Sequence, residues 1–154
     1  MKVVLSYTQE VRTPWKEAFL FAIAKETLVL CAVPQWQEKT ISLNAVAVSP
    51  EKISELNLTY RGKDAVTDIL SFGEYAERTM LAQETAPEIF LGELFFCQEF
   101  IAEAAETDHV SLEREMAYIF SHGILHLLGY DHSEKMFALQ DTVTDRLAPA
   151  PKEK

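Results

Sequence analysis

An α+β domain, with a roughly four-stranded mixed sheet packed against about five helices, is the fold predicted by this 154-residue sequence. Three observations predict it. Four short runs are rich in β-formers and bounded by turn residues. Helical patterns interrupt those runs, and the last two helices follow each other with no strand between them, unlike a strictly alternating α/β chain. The first of those two helices carries histidines four residues apart, the spacing of a zincin-like metal-binding helix.

Taken in order, Lys2 to Tyr7 reads as the first strand. Thr13 followed by Pro14 has the form of an N-cap with proline at the first helical position, which places an amphipathic helix over about 14–31. Ile41 to Val48 alternates in part and forms the second strand, and Ser49-Pro50 repeats the cap-plus-proline device for a short helix through about Leu56. Tyr60-Arg61-Gly62-Lys63-Asp64 reads as a turn. Val66 to Phe72 and Phe90 to Cys97 supply two more strands, separated by an acidic, irregular stretch from Gly73 to Glu88. So long a loop in a compact domain points to a mobile or functional segment. Gln98 to Glu106 reads as a helix, and His109 as an exposed loop residue ahead of the cap Ser111. Ser111 opens the histidine helix, which runs to about Leu128. The last helix begins near Ser133, with Met136, Leu139, Val143 and Leu147 as its apolar stripe.

Composition bounds the class. Hydrophobic residues at 48% and charged residues at 25% describe a globular chain that buries a core, and the length suits a single domain, 1–154, with residues about 149–154 disordered. Lys25 and Glu26 interrupt the longest apolar stretch, Ala18 to Val33, so no membrane span is expected. The N-terminal Met-Lys-Val-Val-Leu-Ser-Tyr lacks the apolar core and cleavage site of a signal peptide, and Cys31 and Cys97 read as isolated buried thiols. The expected location is the cytoplasm. A net charge of −10, from 14 basic and 24 acidic residues, argues against a broad non-specific nucleic-acid surface but leaves room for a local basic patch beside a metal.

The most informative stretch is His122-Gly-Ile-Leu-His126-Leu-Leu-Gly129-Tyr-Asp-His132. On a helix, residues four apart lie on one face, roughly 6 Å apart along the axis, so His122 and His126 can bind one ion. Gly129 can take the left-handed conformation that ends a helix and turn His132 back toward the same face. Three imidazoles with a fourth position open is the arrangement of a catalytic zinc; a structural site has four protein ligands. Imidazole without thiolate suits Zn²⁺, with Ni²⁺ or another transition metal possible in preparations. The spacing equals that of the metzincin peptidases at every position but one: Gly123 stands where they place their glutamate. That glutamate is the general base of peptide hydrolysis, and glycine has no such group.

Several motifs together strongly resemble the YbeY family. They are Leu56-Asn-Leu-Thr-Tyr60-Arg61-Gly-Lys-Asp64, Thr67-Asp-Ile-Leu-Ser-Phe72, Leu91-Gly-Glu93, and the histidine segment followed by Met136-Phe137 and Gln140. The match spans roughly residues 40 to 147. The resemblance implies a metal-dependent, single-strand-specific bacterial endoribonuclease acting in 16S rRNA 3′-end maturation and ribosome quality control. It implies His122, His126 and His132 as the ligands of one zinc ion, and Arg61 as a catalytic arginine near the metal. The implied partners are single-stranded regions of rRNA and the ribosomal small subunit or its assembly proteins, with neither DNA nor a membrane among them. Two positions depart from the family's usual pattern: Glu93 replaces an aspartate and Gly73 a proline.

The chemistry of the residues agrees with that implication. Arginine offers a planar fork of donors suited to phosphate, and beside a metal it can stabilise charge developing on phosphorus. The nucleophile is either the RNA's own 2′-hydroxyl or a water. Lys63 carries no assigned role, and Asp131 either orients an imidazole or stabilises its turn. Two alternatives stand beside the endoribonuclease: a zincin-like metallohydrolase of peptides or small molecules, weakened by Gly123, and a ribosome-assembly factor whose metal is structural. The acidic surface lends weight to the assembly factor, because it suggests that protein partners, not bulk electrostatics, deliver the chain to RNA.

Overall fold

A computed structural model describes residues 1–75 and 77–151, so the expectation of a disordered tail falls in part, at residues 152–154, outside the described residues. The strands are β1 (Lys2–Gln9), β2 (Thr40–Ala47), β3 (Ile69–Gly73) and β4 (Glu88–Phe96). The helices are α1 (Glu17–Cys31), α2 (Pro50–Arg61), α3 (Arg78–Ala82), α4 (Gln98–Asp108), α5 (Leu112–Leu127) and α6 (Glu134–Leu147). The sheet order is β1-β2-β4-β3. β1 and β4 run parallel to β2, and β3 closes one edge antiparallel to β4. The sheet is therefore mixed and the class α+β, with one helix more than the sequence indicated.

Period-2 patterning explains the sheet. Ile41, Leu43, Ala45 and Ala47 alternate with partly exposed neighbours along β2 and are fully buried. β4 breaks this alternation. Its pairing to β2 steps from Ser42↔Phe90 to Asn44↔Glu93, so one extra residue bulges at Gly92, where φ is +139°. A Cβ there would lie 2.2 Å from the Phe72 carbonyl oxygen, so only glycine fits. The bulge lets Ile89, Leu91, Leu94 and Phe96 all join the main core. It also leaves Phe95 in the smaller cluster on the opposite face, with Val48, Ile53, Leu70 and Phe72.

The main core lies between the sheet and the helices α1, α5 and α6, with α5 at its centre packing on β3 and β4. α2 covers part of the other face through Ile53 and Leu56. Serine caps set three helix starts: Ser49, Ser111 and Ser133 accept from the backbone N–H of Lys52, Arg114 and Met136 at 3.1, 3.1 and 3.2 Å. Met136 and Val143 of the expected stripe are fully buried, and Leu139 and Leu147 pack at its edge.

Several expected boundaries move, each for a physical reason. Thr13 does not cap α1. Its hydroxyl accepts from Trp15 N–H at 3.2 Å and pairs with the Tyr7 hydroxyl, and its N–H donates to Gln9 Oε1 at 2.9 Å. These bonds hold a turn, and the helix starts later, at Glu17. α2 runs past Leu56 to Arg61 and stops at Gly62, whose left-handed φ of 71° ends it, so Tyr60 and Arg61 are helical and not in a turn. The described residues of the stretch from Gly73 to Glu88 contain α3 and are anchored at several points. Leu81 is buried, Lys39 Nζ donates to the carbonyls of Glu84 and Ala86 at 2.7 Å each, and Arg78 lies over the Tyr130 ring. His109 is exposed, as expected, and takes a left-handed φ of 57° as the C-cap of α4. Cys97 is buried and Cys31 half-buried, both as free thiols. No helix among the described residues is long and apolar enough to cross a membrane.

Candidate metal centre

α5 places His122 and His126 one turn apart on the face it turns toward β3 and α6. The helix closes with Gly129 N–H donating to His126 O and Tyr130 N–H to Leu125 O, both at 3.0 Å. Gly129 then takes φ +84° and turns the chain. A Cβ at this position would sit 2.6 Å from the backbone nitrogen of Arg78, so glycine is needed for contact as well as for conformation. The turn returns His132 to the other two histidines just before Ser133 caps α6.

The three Nε2 atoms form a triangle with sides of 3.0, 3.2 and 3.4 Å. Tetrahedral bonds of about 2.0–2.1 Å to one zinc ion would separate two such nitrogens by about 3.3 Å. The donor set also fits in its chemistry. His122 Nδ1 faces Gln140 Oε1 at 3.3 Å, and His126 Nδ1 faces the Tyr130 carbonyl at 3.0 Å. Both partners are acceptors, so each ring carries its proton on Nδ1 and turns the Nε2 lone pair into the triangle. Gln140, only 1% exposed, is itself fixed by donating through Nε2 to Tyr118 O at 2.9 Å. The three histidines fit a single metal ion.

Burial sets the protonation of the inner pair. His122 and His126 are half-buried, and desolvation pushes both pKa values below the usual 6.5. For His122 the Gln140 hydrogen bond and the charge of Asp68 oppose that push; for His126 the nearby His122 adds to it. Near neutral pH both rings are therefore neutral, the form a metal requires. His132 is exposed.

The triangle opens onto a cleft of about 410 Å³ whose wall includes Arg61, Asp68 and Ser71. Arg61, the last residue of α2, donates from Nη2 to Ser71 O at 2.7 Å, and its guanidinium carbon lies 5.0 Å from the centre of the Phe72 ring. The fold thus brings together all four expected site residues: His122, His126, His132 and Arg61. Lys63, Glu93 and Asp131 do not line the cleft. Glu93 pairs with Phe72 and sits beside Phe95 after the bulge, which turns it to the sheet face away from α5. The Tyr130 carbonyl, not Asp131, faces His126 Nδ1. Asp68, Ser71 and Gln140 received no role from the sequence; all three lie in the quoted motifs, and that was the available signal.

Gly123 sits against the sheet. A Cβ on it would lie 2.8 Å from Ile69 Cδ1 and 3.0 Å from Leu94 Cδ2, and its carbonyl accepts from Ser71 Oγ at 3.1 Å. The space that a glutamate needs in a zincin peptidase is filled here by β3 and β4.

Three imidazoles converging from a helix and the turn after it, open to a cleft on the fourth side, define a protein built around a candidate metal centre of the open, catalytic type. Comparison with known proteins gives the family. The family model described as Endoribonuclease YbeY matches residues 6–148, beyond the span of the motifs alone. A Spiroplasma citri protein named Endoribonuclease YbeY is 36% identical over 151 residues, covering 94% of this chain and 92% of its own length. One of the same name from Staphylococcus aureus strain JH9 is 37% identical over 120 residues, 69% of this chain and 72% of that protein. Among solved structures, the solution structure of TM1509 from Thermotoga maritima superposes with a TM-score of 0.59 at 29% identity, covering 94% of this chain and 89% of that one. This chain belongs to the YbeY endoribonuclease family.

Proposed function

We propose that this protein is a zinc-dependent, single-strand-specific endoribonuclease acting in 16S rRNA 3′-end maturation and ribosome quality control. The observation that carries the reading is the meeting of the Nε2 triangle and Arg61 on one cleft. His122, His126 and His132 hold the ion, with Zn²⁺ favoured by an all-imidazole set. When bound, it supplies Lewis acidity toward a phosphoryl oxygen and lowers the pKa of water to about 7.

The protein's own groups do the rest. Gln140 and the Tyr130 carbonyl hold two imidazoles in one tautomer and orientation. Ser71 O fixes the Arg61 guanidinium through one N–H, which leaves its other donors for phosphate oxygens. A guanidinium positioned in advance stabilises charge that grows on the phosphorus oxygens without reorganising as it does so. The stacking of Arg61 on Phe72 keeps the plane of the fork defined.

Peptide hydrolysis has less support than RNA cleavage, because the position of its general base is both glycine and closed to a larger side chain. With a net charge of −10, the surface offers little general attraction to RNA, which favours delivery by the small ribosomal subunit or its assembly proteins in the cytoplasm. The reading is tested with highly purified protein and one RNA sequence presented as a single strand and as an annealed duplex, with and without chelator. Cleavage of the single strand alone, lost on chelation and restored by Zn²⁺, is expected. Chelator-resistant or duplex-preferring cleavage contradicts it.

A further inference from the structure

We propose that Asp68 is the general base of RNA cleavage, the carboxylate that takes the proton from the attacking water; this rests on the endoribonuclease reading above. Attack of a neutral water on a phosphodiester needs an acceptor for its proton, and a zincin peptidase would place that acceptor at the Gly123 position. Here that position is closed, Glu93 belongs to the other sheet face, and Asp131 lies off the cleft. Among the described residues, Asp68 is the only carboxylate lining the cleft that also holds the histidine triangle and Arg61.

Its setting suits the task. Asp68 stands one residue before β3, half-buried, with its carbonyl accepting from Cys97 N–H at 2.9 Å. Oδ1 accepts from Ile69 N–H at 2.6 Å and from the Thr67 hydroxyl at 3.4 Å, which fixes the carboxylate group. Oδ2 has no hydrogen-bond partner, and Asp68 makes no ion pair with Arg61, among the described residues. The carboxylate is therefore anchored by one oxygen and free at the other.

In the step, the water oxygen forms a bond to phosphorus as its proton passes to Asp68 Oδ2. The bond from phosphorus to the leaving ribose oxygen breaks, that oxygen takes a proton from solvent, and Asp68 later releases its own proton to solvent. Arg61 stabilises the negative charge on the phosphoryl oxygens meanwhile.

A purely structural Asp68 would only anchor the start of β3, and Asp68→Asn preserves that, since the amide oxygen can still accept from Ile69 N–H. The test compares wild type with Asp68→Asn and Asp68→Glu. Four quantities are measured: metal content, melting curve, affinity of the chelated protein for a fluorescent single-stranded RNA, and kcat. Asp68→Asn is expected to keep the first two, bind RNA at least as tightly, and lose about 10²–10⁴-fold in kcat. Asp68→Glu should restore part of the rate. A wild-type kcat in Asp68→Asn overturns the proposal. So does loss of metal from Asp68→Asn, which would make Asp68 a ligand. Wild-type protein that cleaves no RNA overturns the endoribonuclease reading itself, and this proposal with it.

Discussion

Ser71 Oγ donates to the Gly123 carbonyl across 3.1 Å, joining the edge strand β3 to the helix that carries two of the three histidines. The same serine presents its own carbonyl to Arg61 at 2.7 Å. One residue of β3 therefore sets the distance between the metal-binding helix and the arginine. That contact depends on the close approach permitted by a glycine in the middle of α5.

Substitution at Gly123 tests that approach. Gly123→Ala forces Ile69 Cδ1 and Leu94 Cδ2 aside from 2.8 and 3.0 Å. Both atoms are the ends of flexible side chains, so overpacking of about 1 kcal/mol is matched by about 1 kcal/mol of helix propensity, and denaturant unfolding should move little. Gly123→Glu, which restores the peptidase motif, should cost more than the alanine and create no peptidase activity. Robust metal-dependent peptide cleavage by Gly123→Glu would show that the sheet yields to the side chain.

Gln140 supports His122 from behind. Gln140→Leu removes the acceptor for Nδ1–H and should weaken metal binding about 10–100-fold in chelator competition, with the fold retained. Gln140→Glu keeps an acceptor but loses the donor that holds it to the Tyr118 carbonyl, so it should recover only part of the affinity. Equal affinities for Gln140→Leu and wild type would show that the ring is held by packing alone.

The buried imidazoles give the metal-free protein a definite pH dependence. The folded pKa values of His122 and His126 lie below the usual 6.5, so between those values and about 6.5 the unfolded chain binds more protons than the folded one. Stability of chelated protein should therefore rise with pH through this window and level off above about 6.5. Comparison with a His122→Gln/His126→Gln double variant isolates the effect from Glu115, whose pKa burial and then Asp108 and Asp68 push up. Identical slopes for the two proteins would remove the histidines as its cause.

The histidine triangle was legible because its determinants are local. The four-residue spacing, the left-handed glycine and the serine caps each act within one or two helical turns, and the structure uses them all. β2 was legible for the same reason, through its alternation. What the sequence hid is set by partners distant along the chain. The bulge at Gly92 exists to clear Phe72 of β3, and it decides which way Glu93 points. Thr13-Pro14 looked like a helix start because the competing bonds to Tyr7 and Gln9 come from the strand before it. Arg61 was assigned to a turn because the left-handed residue that ends α2 is the very next one. Asp68 and Gln140 could be quoted as motif residues, but only the assembled sheet and helix pair bring them to the site.

The central claim, that this cleft cleaves RNA through its metal ligands and Arg61 together, is tested most directly by single-turnover cleavage of a single-stranded RNA. Wild type, Arg61→Ala and His126→Ala are purified in parallel and assayed for metal content on the same samples. Arg61→Ala should retain metal and fold yet lose about 10²–10³-fold in rate, equal to about 3–4 kcal/mol of charge stabilisation. His126→Ala should lose metal and activity together. Arg61→Ala cleaving at the wild-type rate, or all three preparations cleaving alike, would contradict the account.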